Sequence, residues 1–153
     1  MKNINMVISK NKEVYFQYEV LETFTAGIML SGSEVKSIRG RKVSIKEGYC
    51  FIKDDEIFVK NMHISEYDKI GKYNNHDPIR DKKLLLNKRE ILKLKECITQ
   101  KGLTIVPISV LLTNIGFIKL EIGLCKGKKT YDKKNTIKLR DLDRELKKTQ
   151  LKI

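Results

Sequence analysis

The chain divides into short segments whose apolar positions recur at two periods. VYFQYEVLE (14–22) alternates, with Phe16, Tyr18 and Val20 on one face and Tyr15, Gln17, Glu19 and Leu21 on the other. Aromatic and branched side chains at period two predict a strand. SGSEVKSIRG (31–40) places Ser31 three residues before Glu34 and ends on Gly40. That is the spacing of a capping box with a stop, and it predicts a short helix. GYCFIKDDEIFVKNMHI (48–64) reads as two apolar strands joined by the polar turn Lys53-Asp54-Asp55-Glu56, a hairpin. Residues 65–82, SEYDKIGKYNNHDPIRDK, form a long polar loop with Gly, Asn-Asn and Asp-Pro as turn signals. A loop of this length in a compact domain carries function or moves.

The clearest helix is NKREILKLKECITQKG (87–102): Asn87 caps it, Glu90 follows at three residues, Ile91, Leu94 and Ile98 line one face, and Gly102 ends it. LTIVPISVLLT (103–113) and GFIKLEIGL (116–124) predict a second hairpin around Asn114. In its last strand Ile118, Leu120, Ile122 and Leu124 alternate with Lys119, Glu121 and Gly123. Pro107 predicts an edge or a bulge in its strand. About five or six antiparallel strands with two inserted helices make a mainly β fold, a small closed or partly open barrel.

Charge changes the picture most. The 153 residues suffice for one domain with its own core. They carry a net charge of +13 and a pI of about 9.6, which draws polyanions, either nucleic acid or an anionic membrane. The membrane reading is excluded on the sequence: no apolar run approaches the roughly 18 residues of a span. Met6-Val7-Ile8 is likewise too short for a leader core. Residues 126–153 hold eleven Lys/Arg against four Asp/Glu, a net of +7 in under a fifth of the chain. Leu139, Leu142, Leu146 and Ile153 there fall on one helical face. So basic a segment is expected to be disordered when free and helical on a partner. Cys50, Cys97 and Cys125 form no CxxC pair and are expected as buried reduced thiols, which fits a reducing cytosol.

Catalytic chemistry finds little material. Asp54-Asp55-Glu56 is turn chemistry. His63 ends a strand pattern, and His76 beside Asp77 is expected as a loop hydrogen bond, since no nucleophile accompanies it. No phosphate-cradling glycine loop, GxSxG or HExxH occurs, and no catalytic residue, metal or cofactor is expected. Binding has more: Tyr67, Lys69, Lys72, Tyr73, Arg80, Lys82 and Lys83 mix aromatics with cations, the combination that stacks bases and neutralises phosphates. Tyr131 among Lys128, Lys129, Lys133 and Lys134 repeats it. Leu84, Leu85 and Leu86 cannot all face one core, and one pointing outward would offer a partner an apolar contact. Asn87 either caps its helix or meets a partner.

Four stretches, GSEVKSIR (32–39), NMHIS (61–65), NHDPIRDKKLLLNKREI (75–91) and GKKTYDKK (127–134), resemble the signature blocks of the SsrA-binding protein (small protein B) family, in its order and spacing. The resemblance runs from about Asn11 to the end. It implies an OB-like antiparallel barrel over 1–126 and a basic tail over 127–153, a cytoplasmic, monomeric, non-enzymatic RNA-binding factor. The family binds the tRNA-like domain of transfer-messenger RNA (tmRNA) and delivers it to ribosomes stalled on messages without a stop codon. The nascent chain is then tagged for degradation, while the tail probes the decoding centre and the empty mRNA channel. Carried over by position, tmRNA binding falls to Asn11, Lys12, Thr25, Lys83, Leu85 and Asn87. Ribosome binding falls to Gly127, Lys128, Lys129, Tyr131, Asp132, Lys133, Lys134, Lys138 and Arg140. Two positions depart from the family: Thr25 stands where many members have glutamate, and Lys134 replaces a frequent arginine, trading a planar fork for a point charge. A general basic OB-type RNA-binding or ribosomal protein is the other reading.

Overall fold

Most of the apolar patterns pair into a ring of strands. The computed structural model describes residues 6–67 and 75–127. In chain order these form β1 (Met6–Lys10), α1 (Val14–Gln17), β2 (Tyr18–Ile28), α2 (Gly32–Arg39), β3 (Val43–Ser44), β4 (Tyr49–Lys53), β5 (Glu56–Lys60), β6 (His63–Ile64), β7 (Lys82–Leu85), α3 (Lys88–Lys101), β8 (Thr104–Leu112) and β9 (Ile118–Gly127). Strands pair in the order β8-β4-β5-β7-β2-β9, and β9 returns to β8, so six antiparallel strands close a barrel. Closure removes the open edges that a flat sheet exposes. The core holds Ala26, Ile57, Leu84, Ile105, Leu120 and Ile122, all at 0–1% exposure.

The capping signals are realised. The Ser31 side chain accepts from the Glu34 N–H while the Ser31 N–H donates to Glu34 Oε1 at 2.9 Å. Asn87 and Glu90 form the same reciprocal pair at the start of α3, and Gly102 closes that helix at φ +63°, the left-handed value glycine takes at no steric cost. Between β4 and β5, Asp54 and Asp55 both take positive φ, which suits the twist of a two-residue hairpin. The three cysteines are free and buried. Burial pushes the Cys125 thiol up to about 11 and raises Cys50 further, so neither is a ready thiolate.

Two expectations change, and one strand forms that the apolar pattern does not mark. The strand predicted from residue 14 begins at Tyr18, because Val14–Gln17 is one helical turn. Asn11 Oδ1 accepts from the Glu13 N–H at 3.2 Å and Glu13 O accepts from Phe16 and Gln17, so the chain curls and drops Val14 into a second cluster with Val106, Ile108 and Cys125. In β2 a bulge between Val20 and Glu22 reverses the alternation. Tyr18 and Val20 pack on that second cluster, while Phe24 and Ala26 face the barrel core. Strand β1 has no signal in the apolar pattern, since MVISK has one buried apolar residue, Ile8. It forms because β8 offers it a line of backbone partners, Ser109 to Leu112. Pro107 sits at a bulge, as expected, but β8 is no edge: it is paired on both sides.

Candidate nucleic-acid interface

One polar hub fixes the strand that carries the candidate contacts. Glu34 is wholly buried, its Oε1 2.6 Å from Arg80 Nη2 and its Oε2 3.9 Å from Lys82 Nζ. Lys82 is also fully buried, and its Nζ donates to the carbonyls of Met62 at 3.0 Å and of Arg80. Burial pushes the Glu34 carboxyl up, but the Arg80 hydrogen bond, the Ser31 N–H and the charges of Arg80 and Lys82 outweigh it and hold the group below 4.5. Burial holds Lys82 below 10.5, with Glu34 opposing. His76 completes the hub: Nε2 donates to Ile64 O and Nδ1 meets Ser33 Oγ, both at 2.8 Å. The expected loop hydrogen bond is therefore present, although it runs to α2 and β6 and not to Asp77. The structure corrects the reading of Arg80 and Lys82 as cations for phosphate. Lys82 is spent inside, and Arg80 is committed to Glu34.

From this hub β7 turns its other face outward. Leu84 is buried at 1% and Leu85 exposed at 50%, so the leucine run does send one member to solvent. Leu85 stands opposite Gly27 on β2, where a Cβ would lie 3.2 Å from Leu85 Cβ. The missing side chain lets Leu85 lie across the neighbouring strand. The same outer face continues along the strand registers: Gly27 to Lys119 and Thr25 to Glu121 on β9, and Lys83 to Phe58 on β5 and Phe51 on β4. Lys83 Nζ reaches Glu56 Oε1 at 3.0 Å. Asn87 is exposed; its Oδ1 accepts from the Glu90 N–H at 2.8 Å, and its Nδ2 has no partner among the described residues. It caps, and it keeps a donor for something else.

Thr25, Lys83, Leu85 and Asn87 thus share one neighbourhood. Asn11 and Lys12 do not join it. They precede α1, beside Tyr18, and Thr25 lies seven positions further along β2 than Tyr18, about 23 Å at the usual rise. Both ends of the Asn11 amide are in use, Oδ1 on Glu13 and Nδ2 on Lys46 O at 3.2 Å, so its evident work is to shape the turn into α1. Lys12 is exposed. Gly127 pairs with Tyr18, so the described residues end at this same end of the barrel. Lys128, Lys129, Tyr131, Asp132, Lys133, Lys134, Lys138 and Arg140 lie outside the described residues, as do Lys69, Lys72 and Tyr73. Among the described residues no group of three or more His, Cys, Asp or Glu is placed to hold a metal ion, and no helix is long and apolar enough to cross a membrane.

A family model described as SmpB protein matches residues 8–152. The chain belongs to the SmpB family. It is 52% identical to the SsrA-binding protein of Prochlorococcus marinus subsp. pastoris strain MED4 over 140 residues, 92% of this chain and 79% of that one. It is 46% identical to the SsrA-binding protein of Cytophaga hutchinsonii over 151 residues, 99% and 96% of the two chains. Among solved structures, one described as "tmRNA-SmpB: a journey to the center of the bacterial ribosome" is similar with a TM-score of 0.66 and 41% identity, over 80% of this chain and 85% of that chain. The SmpB blocks that carried the resemblance have separate physical jobs. GSEVKSIR, NMHIS and the first half of NHDPIRDKKLLLNKREI meet in the Glu34 hub, and the second half of the last block supplies Lys83, Leu85 and Asn87.

Proposed function

We infer that this protein binds the tRNA-like domain of tmRNA and carries it to stalled bacterial ribosomes, where the nascent chain is tagged and the ribosome freed. The observation that carries this reading is the family match, which runs through barrel and tail alike to residue 152. In this reading the protein is a non-enzymatic, cytoplasmic, monomeric adaptor. Its +13 charge draws the RNA, and the barrel holds it through shape and phosphate contacts with Leu85 as the apolar contact, flanked by Thr25, Lys83 and Asn87. Asn11 and Lys12 extend the RNA surface toward α1. The tail from Gly127 onward is the ribosome-binding arm: Gly127, the last residue of β9, with Lys128 and Lys129 joins it to the barrel, Tyr131 stacks on a decoding-centre base, and Asp132, Lys133, Lys134, Lys138 and Arg140 line the mRNA channel. Tail and full-length message compete for one channel, so the arm reports an empty one.

Two measurements test this. At about 0.2 M salt the protein should prefer a tRNA-like domain to linear RNA of equal length; equal affinities falling together with salt would favour a general basic RNA binder. Truncation after Gly127, which spares the last pair of β9, should keep tmRNA binding and abolish tagging in a stalled-ribosome translation assay. Loss of tmRNA binding by the truncated barrel would overturn the division between barrel and tail.

A further inference from the structure

The outer face of the barrel carries a half-buried aromatic pair that lies outside both core clusters. Phe51 and Phe58 face each other across β4 and β5, ring centroids 5.5 Å apart and planes inclined by 21°. Their chain neighbours Cys50, Ile57 and Val59 are buried and Ile52 packs on the core, so the two rings point the other way, and neither belongs to a core cluster. Tyr49, on the same side of β4, is 40% exposed. Around these rings stand Lys53 and Lys60, both exposed, and Lys83, directly opposite Phe58. The acid of the β5 outer face, Glu56, is held by Lys83. Two residues along β7 from Lys83 lies Leu85.

We propose that the stacked Phe51–Phe58 pair is an RNA-binding platform, on which an unpaired base of the RNA held at Leu85 stacks while Lys53 and Lys60 meet its flanking phosphates. The proposal rests on the reading that Leu85 touches RNA, and extends that contact two strands further round the barrel. An aromatic face among lysines has the chemistry of base stacking with phosphate neutralisation. A peptide adding as a strand is excluded here, because β4, β5 and β7 are each paired on both sides within the ring.

The chain contains no tryptophan, so Phe51→Trp installs a single fluorescent reporter inside the platform in the full-length protein. Titration with a tRNA-like domain RNA should quench its emission. Phe58→Leu, which keeps the apolar bulk and removes the ring, should weaken binding about tenfold in fluorescence anisotropy, with the thermal transition unmoved and Phe58→Trp restoring affinity. Leu85→Asp separates the two ideas. If that change abolishes binding while the indole reporter stays unquenched in the otherwise native protein and Phe58→Leu binds normally, the platform is wrong and the Leu85 reading stands. If Leu85→Asp binds normally while the reporter is quenched and Phe58→Leu is weak, the platform stands without Leu85. Equal quenching by linear RNA supports a platform for any unpaired base. No quenching by any RNA overturns it.

Discussion

Lys82 and Leu85 stand three residues apart on one short strand, and each sits where the other's chemistry belongs. The lysine is fully buried and the leucine is half exposed. Burying an ammonium is costly unless it is paired and hydrogen-bonded, and Lys82 is both, through Glu34 and the carbonyls of Met62 and Arg80. Leaving half of a leucine side chain in water forgoes about 1 kcal/mol of burial. Both departures have a reason only if they serve different ends. The buried charge ties α2, the 61–65 segment and β7 into one orientation, and the exposed leucine uses that orientation to face outward. A family-like stretch such as 75–91 is thus not a uniform contact surface: its first half builds and its second half presents.

The sharpest way to break this contrast is at the buried end. Glu34→Ala leaves Lys82 buried without its carboxylate and should cost about 3–5 kcal/mol in urea unfolding. A loss under about 1 kcal/mol would show that the hub does not hold the fold. The same group sets an acid limit. Because Glu34 is held below 4.5, the unfolded chain binds the extra proton as pH falls through that range. Its contribution is therefore complete above about pH 4.5 and fades below it; Glu34→Gln should flatten that acid slope. Lys82 acts at the other extreme: held below 10.5, it makes stability rise with pH in the window beneath 10.5, an effect that Lys82→Met should remove.

At the exposed end the order of effects reverses. Leu85→Asp should leave stability within about 0.5 kcal/mol, as surface changes do. It should weaken tmRNA binding at least about thirtyfold, the size of an interface hot spot. A collapsed circular-dichroism spectrum would instead make Leu85 a core residue and dissolve the comparison.

Local chemistry makes much of this legible in the sequence alone. Two capping boxes and the Gly102 stop are written in adjacent residues, so α2 and α3 sit where the spacing puts them. The Leu84-Leu85-Leu86 run had to expose a member because a pleated strand has two faces. What stayed hidden depends on partners distant in sequence. Lys82 reads as a surface cation until Glu34, 48 residues away, is brought beside it. The bulge after Val20 lets Tyr18 and Val20 pack on a cluster that includes Cys125, much further along the chain. Phe51 and Phe58 were silent for another reason: YCFI and IFV are apolar on both faces, so no alternation marks which side is outside.

Asn87 is where the two roles meet, and it gives the smallest and most discriminating effect. As a cap it satisfies the Glu90 N–H, and Asn87→Ala should cost about 1 kcal/mol. Asn87→Ser keeps an oxygen for that N–H and should restore most of the stability, but it removes the Nδ2 donor that has no partner among the described residues. If Asn87 also meets RNA, the serine variant will be stable and still bind tmRNA more weakly than the native protein in a filter-binding assay. If serine restores binding together with stability, the asparagine is a cap alone, and the boundary between building and presenting falls between Leu85 and Asn87.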